Sequence, residues 1–208
     1  MPRRMADAGF RNQQWLNRYS DHIAPINRLV DELCNDGIHG WAPYVAPMYG
    51  GVNARLLSVL RDPGPRTQDS RFLCVENDDP TAEAMFWLLR EAGIGVGEMV
   101  PWNAYPWYIN RAPTAAEIHP GVAPLRRIIE LLPDLRVVVL HGVDAKKVWK
   151  RFDKLYHNIV DDLTERGVQI IKTYHTSRQA FRHPDPVERE RRKQHLRSSL
   201  LQAKLACE

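Results

Sequence analysis

The chain is poor in the residues that build cross-links, metal clusters or membrane spans. Its three cysteines, Cys34, Cys74 and Cys207, stand far apart with no CxxC pair, which argues against a disulfide scaffold and against a tetra-cysteine metal or iron–sulfur site. Reduced thiols in a soluble, cytoplasmic protein are the expectation. No apolar run approaches the roughly 20 residues of a membrane span, and the Arg-bearing start MPRRMADAGFRNQQ has no apolar middle of the kind a signal peptide carries. A GxxxxGK[ST] phosphate loop is missing, which counts against ATP-driven chemistry. Gly93, Gly95 and Gly97 give GxGxG, but ahead of an apolar run rather than after one, the reverse of a dinucleotide fingerprint. There is neither an internal repeat nor a low-complexity tract.

What remains is one core and a mixed charge. At 208 residues and 44% hydrophobic the chain is long enough for one substantial core and short for two. The reading is a single domain over 1–208, with the charged, amide-rich residues 1–18 as a loosely ordered lead-in. Lys and Arg number 29 against 25 Asp and Glu, a net charge of +4 that permits an anionic partner without demanding one.

Apolar runs at 56–60, 98–103, 136–140 and 167–174 read as buried strands. Ser20 or Asp21 can cap a helix with Pro25 in its first turn and Ile23, Ile26, Val30 and Leu33 on one face, stopped by Gly37. Residues 40–51 read as an irregular loop whose rings pack, and 66–77 as a loop with an apolar island at 72–75. Asp79 caps a helix with Pro80 at its first position and Ala82, Met85, Phe86, Leu89 and Ala92 inward. Thr114 and Glu117 form a capping box for a helix through Leu125, Ile128, Ile129 and Leu132. A helix starting near Asp144 turns Ala145, Val148, Trp149 and Phe152 inward, and a charged closing helix after Pro186 lays Leu196, Leu200, Leu201 and Leu205 on one face. Strands alternating with helices imply an α/β fold: a three-layer α/β/α sandwich around a four-stranded, mainly parallel central sheet.

Three of the four runs stop at a chemically useful side chain. Pro63 and Gly64 end the first and deliver Asp62 at a strand's carboxyl end, where open α/β sheets keep their chemistry. The second ends at Asn103 and the fourth at His175, so an acid, an amide and an imidazole can converge on one crevice. By itself Asp62 before Pro is common turn chemistry; functionally, its carboxylate positions a water and stabilises a developing sugar cation. Pro63-Gly64-Pro65 would hold that loop rigid and let a ligand approach the backbone. Asn103 either caps a strand or reads a pyrimidine edge, because a carboxamide donates to a carbonyl and accepts from a ring N–H. Phe72 is either core or the stacker of an extruded base. His175 is either a hydrogen-bonded structural residue or a neutral imidazole that donates to a departing base anion; with no second ligand at metal spacing, no metal is expected. Thr176 and Ser177 suit phosphate oxygens, and Arg178, Gln179 and Phe181 are long enough to enter a groove. His141 ends the third run and reads as packing.

Taken together, Arg61-Asp62-Pro63-Gly64-Pro65 at the first strand's end and His175-Thr176-Ser177 at the last, with LLREAGI, Asn103 beside Pro-Trp, NRAPTAAE, LRRIIELLP and VVVLHGVDA between them, resemble bacterial members of the uracil-DNA glycosylase superfamily over residues 41–181. The resemblance implies a monomeric, cofactor-free, monofunctional glycosylase that flips uracil out of DNA and hydrolyses its N-glycosidic bond, leaving an abasic site and free uracil. On that resemblance Asp62 aligns water and supports the oxocarbenium-like sugar, and His175 stabilises the leaving uracil anion. Arg61, Pro63, Gly64, Phe72 and Asn103 bind the base, Phe72 by stacking, while Thr176, Ser177, Arg178 and Gln179 contact DNA. The sequence departs from the superfamily at Gly64, where one branch places a Tyr that blocks the thymine methyl, and at Thr176, where several branches have Pro; the cluster cysteines of the thermostable branches are absent, so no iron–sulfur cluster is expected. Two rival readings remain: a non-catalytic lesion- or abasic-site-binding module of the same fold, and an N-glycosidase or hydrolase of free nucleotides.

Overall fold

The computed structural model describes residues 2–208; Met1, the first residue of the expected lead-in, lies outside the described residues. The described residues contain six strands: β1 (Tyr44–Val45), β2 (Leu56–Leu60), β3 (Phe72–Leu73), β4 (Met99–Asn103), β5 (Val137–His141) and β6 (Gln169–Thr173). Four of them form a parallel sheet in the order β4-β2-β5-β6, and β1 and β3 pair in parallel as a separate two-stranded ribbon. The central pair is the most apolar. β5 is buried throughout and β2 nearly so, as strands covered on both faces must be. Pro101 has no N–H to give a second neighbour, and β4 accordingly sits at an edge, bonded to β2 alone.

The helices are α1 (Ala8–Leu16), α2 (Ala24–Cys34), α3 (Thr67–Ser70), α4 (Pro80–Glu91), α5 (Val122–Glu130), α6 (Gly142–Leu155), α7 (His157–Glu165) and α8 (Pro186–Cys207). Helices α2, α5 and α6 pack in sequence, as do α4 and α8, and with the sheet between them the three-layer α/β/α sandwich is complete. Asp79 caps α4 by accepting from the N–H groups of Thr81 and Ala82 at 2.7 and 2.9 Å, and α6 buries Ala145, Val148, Trp149 and Phe152. No helix among the described residues is long and apolar enough to cross a membrane.

Four expectations need correction. The lead-in is built rather than loose: Arg4–Ala6 form a 3-10 turn, Asp7 caps α1 by accepting from Phe10 N–H at 2.7 Å, and Arg4 holds buried Glu76 with both carboxylate oxygens engaged. Its anchors, Arg4 on Glu76 and Arg3 on Asp78 and Glu83, are ion pairs with partners 72 to 80 residues away, invisible to a composition count. The Thr114–Glu117 box closes as expected, with Thr114 N–H donating to Glu117 Oε2 at 2.7 Å, but it caps only a turn. Pro120 disfavours the helical conformation at His119, and α5 begins beyond it at Val122. Helix α7 lies in a stretch to which the periodicity assigned nothing. Finally, α8 buries Leu196, Ser199, Leu200, Ala203 and Cys207, whereas Leu201 and Leu205 are 50% and 71% exposed; at about 100° per residue both turn to the side of the helix away from the buried stripe.

Candidate active site at the carboxyl edge of the sheet

A cavity of about 830 Å³ opens where the parallel strands end. Among its lining residues are Asp62, Asn103, His141 and His175, which follow or close β2, β4, β5 and β6 in turn.

At the end of β2, proline ends the ladder and the turn is pinned by Thr67, whose N–H and Oγ1 both donate to Gly64 O, at 3.0 and 2.6 Å. Asp62 is held by the Arg61 guanidinium, and its side chain is 7% exposed. Burial pushes the Asp62 carboxyl above the ordinary carboxylate range; Arg61 opposes that push and Asp144 adds to it. A carboxyl tuned upward is a better proton acceptor from water at neutral pH than an ordinary one.

Asn103 stands opposite Leu60 in the β2–β4 register. The zip continues past it, with Ala104 N–H donating to Leu60 O at 2.9 Å and Tyr105 N–H to Arg61 O at 3.0 Å. Asn103 is thereby fixed beside Leu60, two residues before Asp62. Asn103 is buried, yet its Nδ2 has no hydrogen-bond partner among the described residues. Such a donor costs about 1–3 kcal/mol, which a ligand carbonyl would offset.

The histidines are both neutral at pH 7. Ser177 N–H donates to His175 Nδ1 at 3.0 Å; because Nδ1 accepts, the neutral ring carries its proton on Nε2 and offers it as a donor. Burial, together with the Arg61 charge, takes its pKa down to about 4. Gly142 makes room for this ring: its φ is +84°, and a Cβ there would meet His175 Cβ at 3.2 Å. His141 Nε2 lies 3.1 Å from Ser58 Oγ, its Nδ1 has no partner among the described residues, and burial with the neighbouring His175 lowers its pKa to about 3.

Arg61, Pro63, Gly64, Thr176, Ser177 and Gln179 also line the cavity, and Thr176 presents a buried, unpartnered Oγ1. Arg178 does not, although it begins the 3-10 turn Arg178–Phe181 whose Gln179 and Ala180 are in the lining. Phe72 is a correction. It is fully buried, its ring lies 6.3 Å from those of both Trp15 and Tyr44, and it is absent from the cavity wall. Strand alternation explains this, because in β3 Phe72 and Leu73 face opposite sides, and it is Leu73, followed by Cys74 and Val75, that lines the cavity.

Sequence reasoning passed over Tyr49, Asn77, Val143 and Asp144, all in the wall. Asn77 donates from Nδ2 to Phe72 O at 2.9 Å and leaves a buried Oδ1 unpartnered, while Val143 is 65% exposed at the mouth. His141 carried the same signal as the other tips, a polar residue ending an apolar run; Asn77 and Val143 carried none. Among the described residues no three His, Cys, Asp or Glu side chains gather as metal ligands.

No curated protein matches the chain. A family model does: the one described as the Uracil DNA glycosylase superfamily covers residues 47–201, from before β2 into α8. A match spanning every strand of the central sheet settles the family, and the chain belongs to the uracil DNA glycosylase superfamily.

Proposed function

We propose that this protein hydrolyses the N-glycosidic bond of deoxyuridine in DNA, releasing uracil and leaving an abasic site. Its superfamily implies a glycosylase that acts on DNA. The observation that carries it is the pairing of an unmet buried donor, Asn103 Nδ2, with a neutral His175 whose tautomer leaves Nε2–H free, both on one cavity.

Extruding a base from duplex DNA costs a few kcal/mol, least at a mismatch. In the cavity the Asn103 carboxamide donates to a uracil carbonyl and accepts from the adjacent ring N–H. The C1′–N1 bond then breaks with its electron pair passing to the base, and His175 Nε2–H donates to the anion that forms. Asp62 supports the positive sugar, orients a water at C1′ and takes its proton as the C1′–O bond forms. The proton held by Asp62 passes through water to the base anion, restoring the carboxylate, and the products are free uracil and a hydroxyl at C1′. No lysine lines the cavity, which favours hydrolysis over an imine-forming lyase route. A Cβ placed at Gly64 meets nothing within 4 Å, so this wall offers thymine's methyl no obstacle and thymine release is the sensitive test of selectivity.

The deciding experiment incubates the protein with oligonucleotides carrying uracil, hypoxanthine, xanthine or thymine opposite each base, followed by alkaline cleavage. Uracil strands should break, and His175→Ala should abolish most of that breakage. Binding to uracil or abasic DNA without any release would overturn the reading in favour of a binding module.

A further inference from the structure

A second depression, of about 650 Å³, runs along the outer face of α6 and is lined by Lys147, Lys150, Arg151, Asp153, Lys154 and His157. It adjoins the first. Lys147 Nζ lies 3.2 Å from Asp144 Oδ1, and Asp144 lines the cavity that holds Asp62 and His175. Lys147, Arg151 and Lys154 recur at helical spacing with Lys150 beside them, so the cations share one face. From residue 147 to residue 154 that face rises about 10 Å.

A charged helix face is usually just solvated, and α8 shows what that looks like. There Arg191, Arg192 and Lys193 are answered by Glu188 and Glu190 on the same helix. On α6 the balance differs. The lysine ion pairs among the described residues belong to Lys147, Lys193 and Lys204, which leaves the exposed Lys150 and Lys154 without a carboxylate. Arg151 is held in the groove by donating to Ala115 O at 2.7 Å. Lys150 and Lys154, unpaired on a face whose first cation, Lys147, reaches the cavity wall through Asp144, outnumber the one carboxylate of the depression, Asp153, and suit a polyanion that also enters the cavity.

We propose that this face of α6 is a track for the phosphate backbone of the DNA flanking the extruded nucleotide; the proposal rests on reading the cavity as a DNA glycosylase site. A duplex presents a phosphate about every 3.4 Å of axis per strand, so about 10 Å of helix faces roughly three phosphates of one strand.

The test uses the full chain carrying Lys150→Ala and Lys154→Ala, exposed helix positions at which alanine preserves the helix. Binding to an unmodified duplex and to the same duplex containing uracil is measured across a salt series, and uracil release is measured in a single turnover at saturating protein. The slope of log Kd against log salt should fall by about 1–2, each lost phosphate contact removing about 0.9. The single-turnover rate should stay within twofold of the parent's, and Lys150→Arg with Lys154→Arg should restore the slope. Uracil release together with an unchanged slope in the alanine variant overturns the track and leaves the glycosylase reading intact. A reduced slope in a protein that binds duplex and releases no base supports the track while overturning that reading.

Discussion

Asn27 and Asn103 are both shielded from water, one on α2 beneath the β1 ribbon and the other at the tip of β4, and they differ in what their amides meet. Asn27 donates from Nδ2 to the carbonyls of Arg18 and Val45 at 2.7 and 3.0 Å and accepts Val45 N–H on Oδ1 at 2.9 Å. Asn103 has an Nδ2 that meets no partner among the described residues. The first amide is a closed account, and closing it locks α2 to β1 and leaves no group for a ligand. The second leaves a buried donor unmet in a residue that lines the cavity, at a cost in stability. Burial of a polar group therefore does not by itself mark a candidate site; an unmet bond in a cavity wall is the sharper signal.

The sharpest challenge to that contrast is at Asp62. Asp62→Asn keeps the shape and removes the proton acceptor, so base release should fall about 10³-fold, equivalent to about 4 kcal/mol of barrier, with the melting temperature held or raised. A loss under tenfold in single turnover would remove the carboxylate from the mechanism. Asn103→Leu should cost about 10²–10³ in release and leave unfolding free energy unchanged or up by about 1 kcal/mol, since it deletes a buried unmet donor. Asn27→Leu should do the reverse, losing about 2–3 kcal/mol in a urea titration while the rate per folded molecule holds. If the two variants behaved alike, the comparison would fail.

Smaller effects probe the histidines and the corrected ring. His141 and His175 titrate at about 3 and about 4 in the folded chain against about 6.5 when unfolded. Between those values the unfolded state binds the extra protons, so the stability that the neutral rings contribute is present above about pH 6.5 and is lost as pH falls toward 4, by up to about 1.4 kcal/mol per pH unit for each ring. Urea midpoints measured from pH 7 to 4.5 should show this slope, His141→Gln should weaken it, and a flat profile would contradict two buried neutral imidazoles. Phe72→Leu should cost about 1 kcal/mol of stability as a core substitution and leave KM for a uracil oligonucleotide unaltered. A several-fold rise in KM would restore the ring to a stacking role.

Much of this architecture was readable from local pattern. The four apolar runs became β2, β4, β5 and β6, Asp79-Pro80 opened α4, and the strand tips at 62, 103 and 175 came to one edge because parallel strands joined by crossover helices must all end on the same side. Where reading by pattern failed, the deciding partner was distant in sequence. Arg4 found Glu76, and Phe72 was turned into the core by its pairing with Tyr44 and its contact with Trp15.

By itself, then, the sequence determined which segments are strands and helices, where proline and glycine stop them, and which reactive side chains stand at the ends. Only the tertiary structure decided which of those side chains keep an unsatisfied hydrogen bond, that Ser177 N–H commits His175 to its Nε2–H tautomer, and that Leu73 rather than Phe72 faces the cavity. The reason is physical. Periodicity and capping act over a few residues, whereas desolvation, tautomer choice and hydrogen-bond satisfaction depend on neighbours that the fold brings from far along the chain.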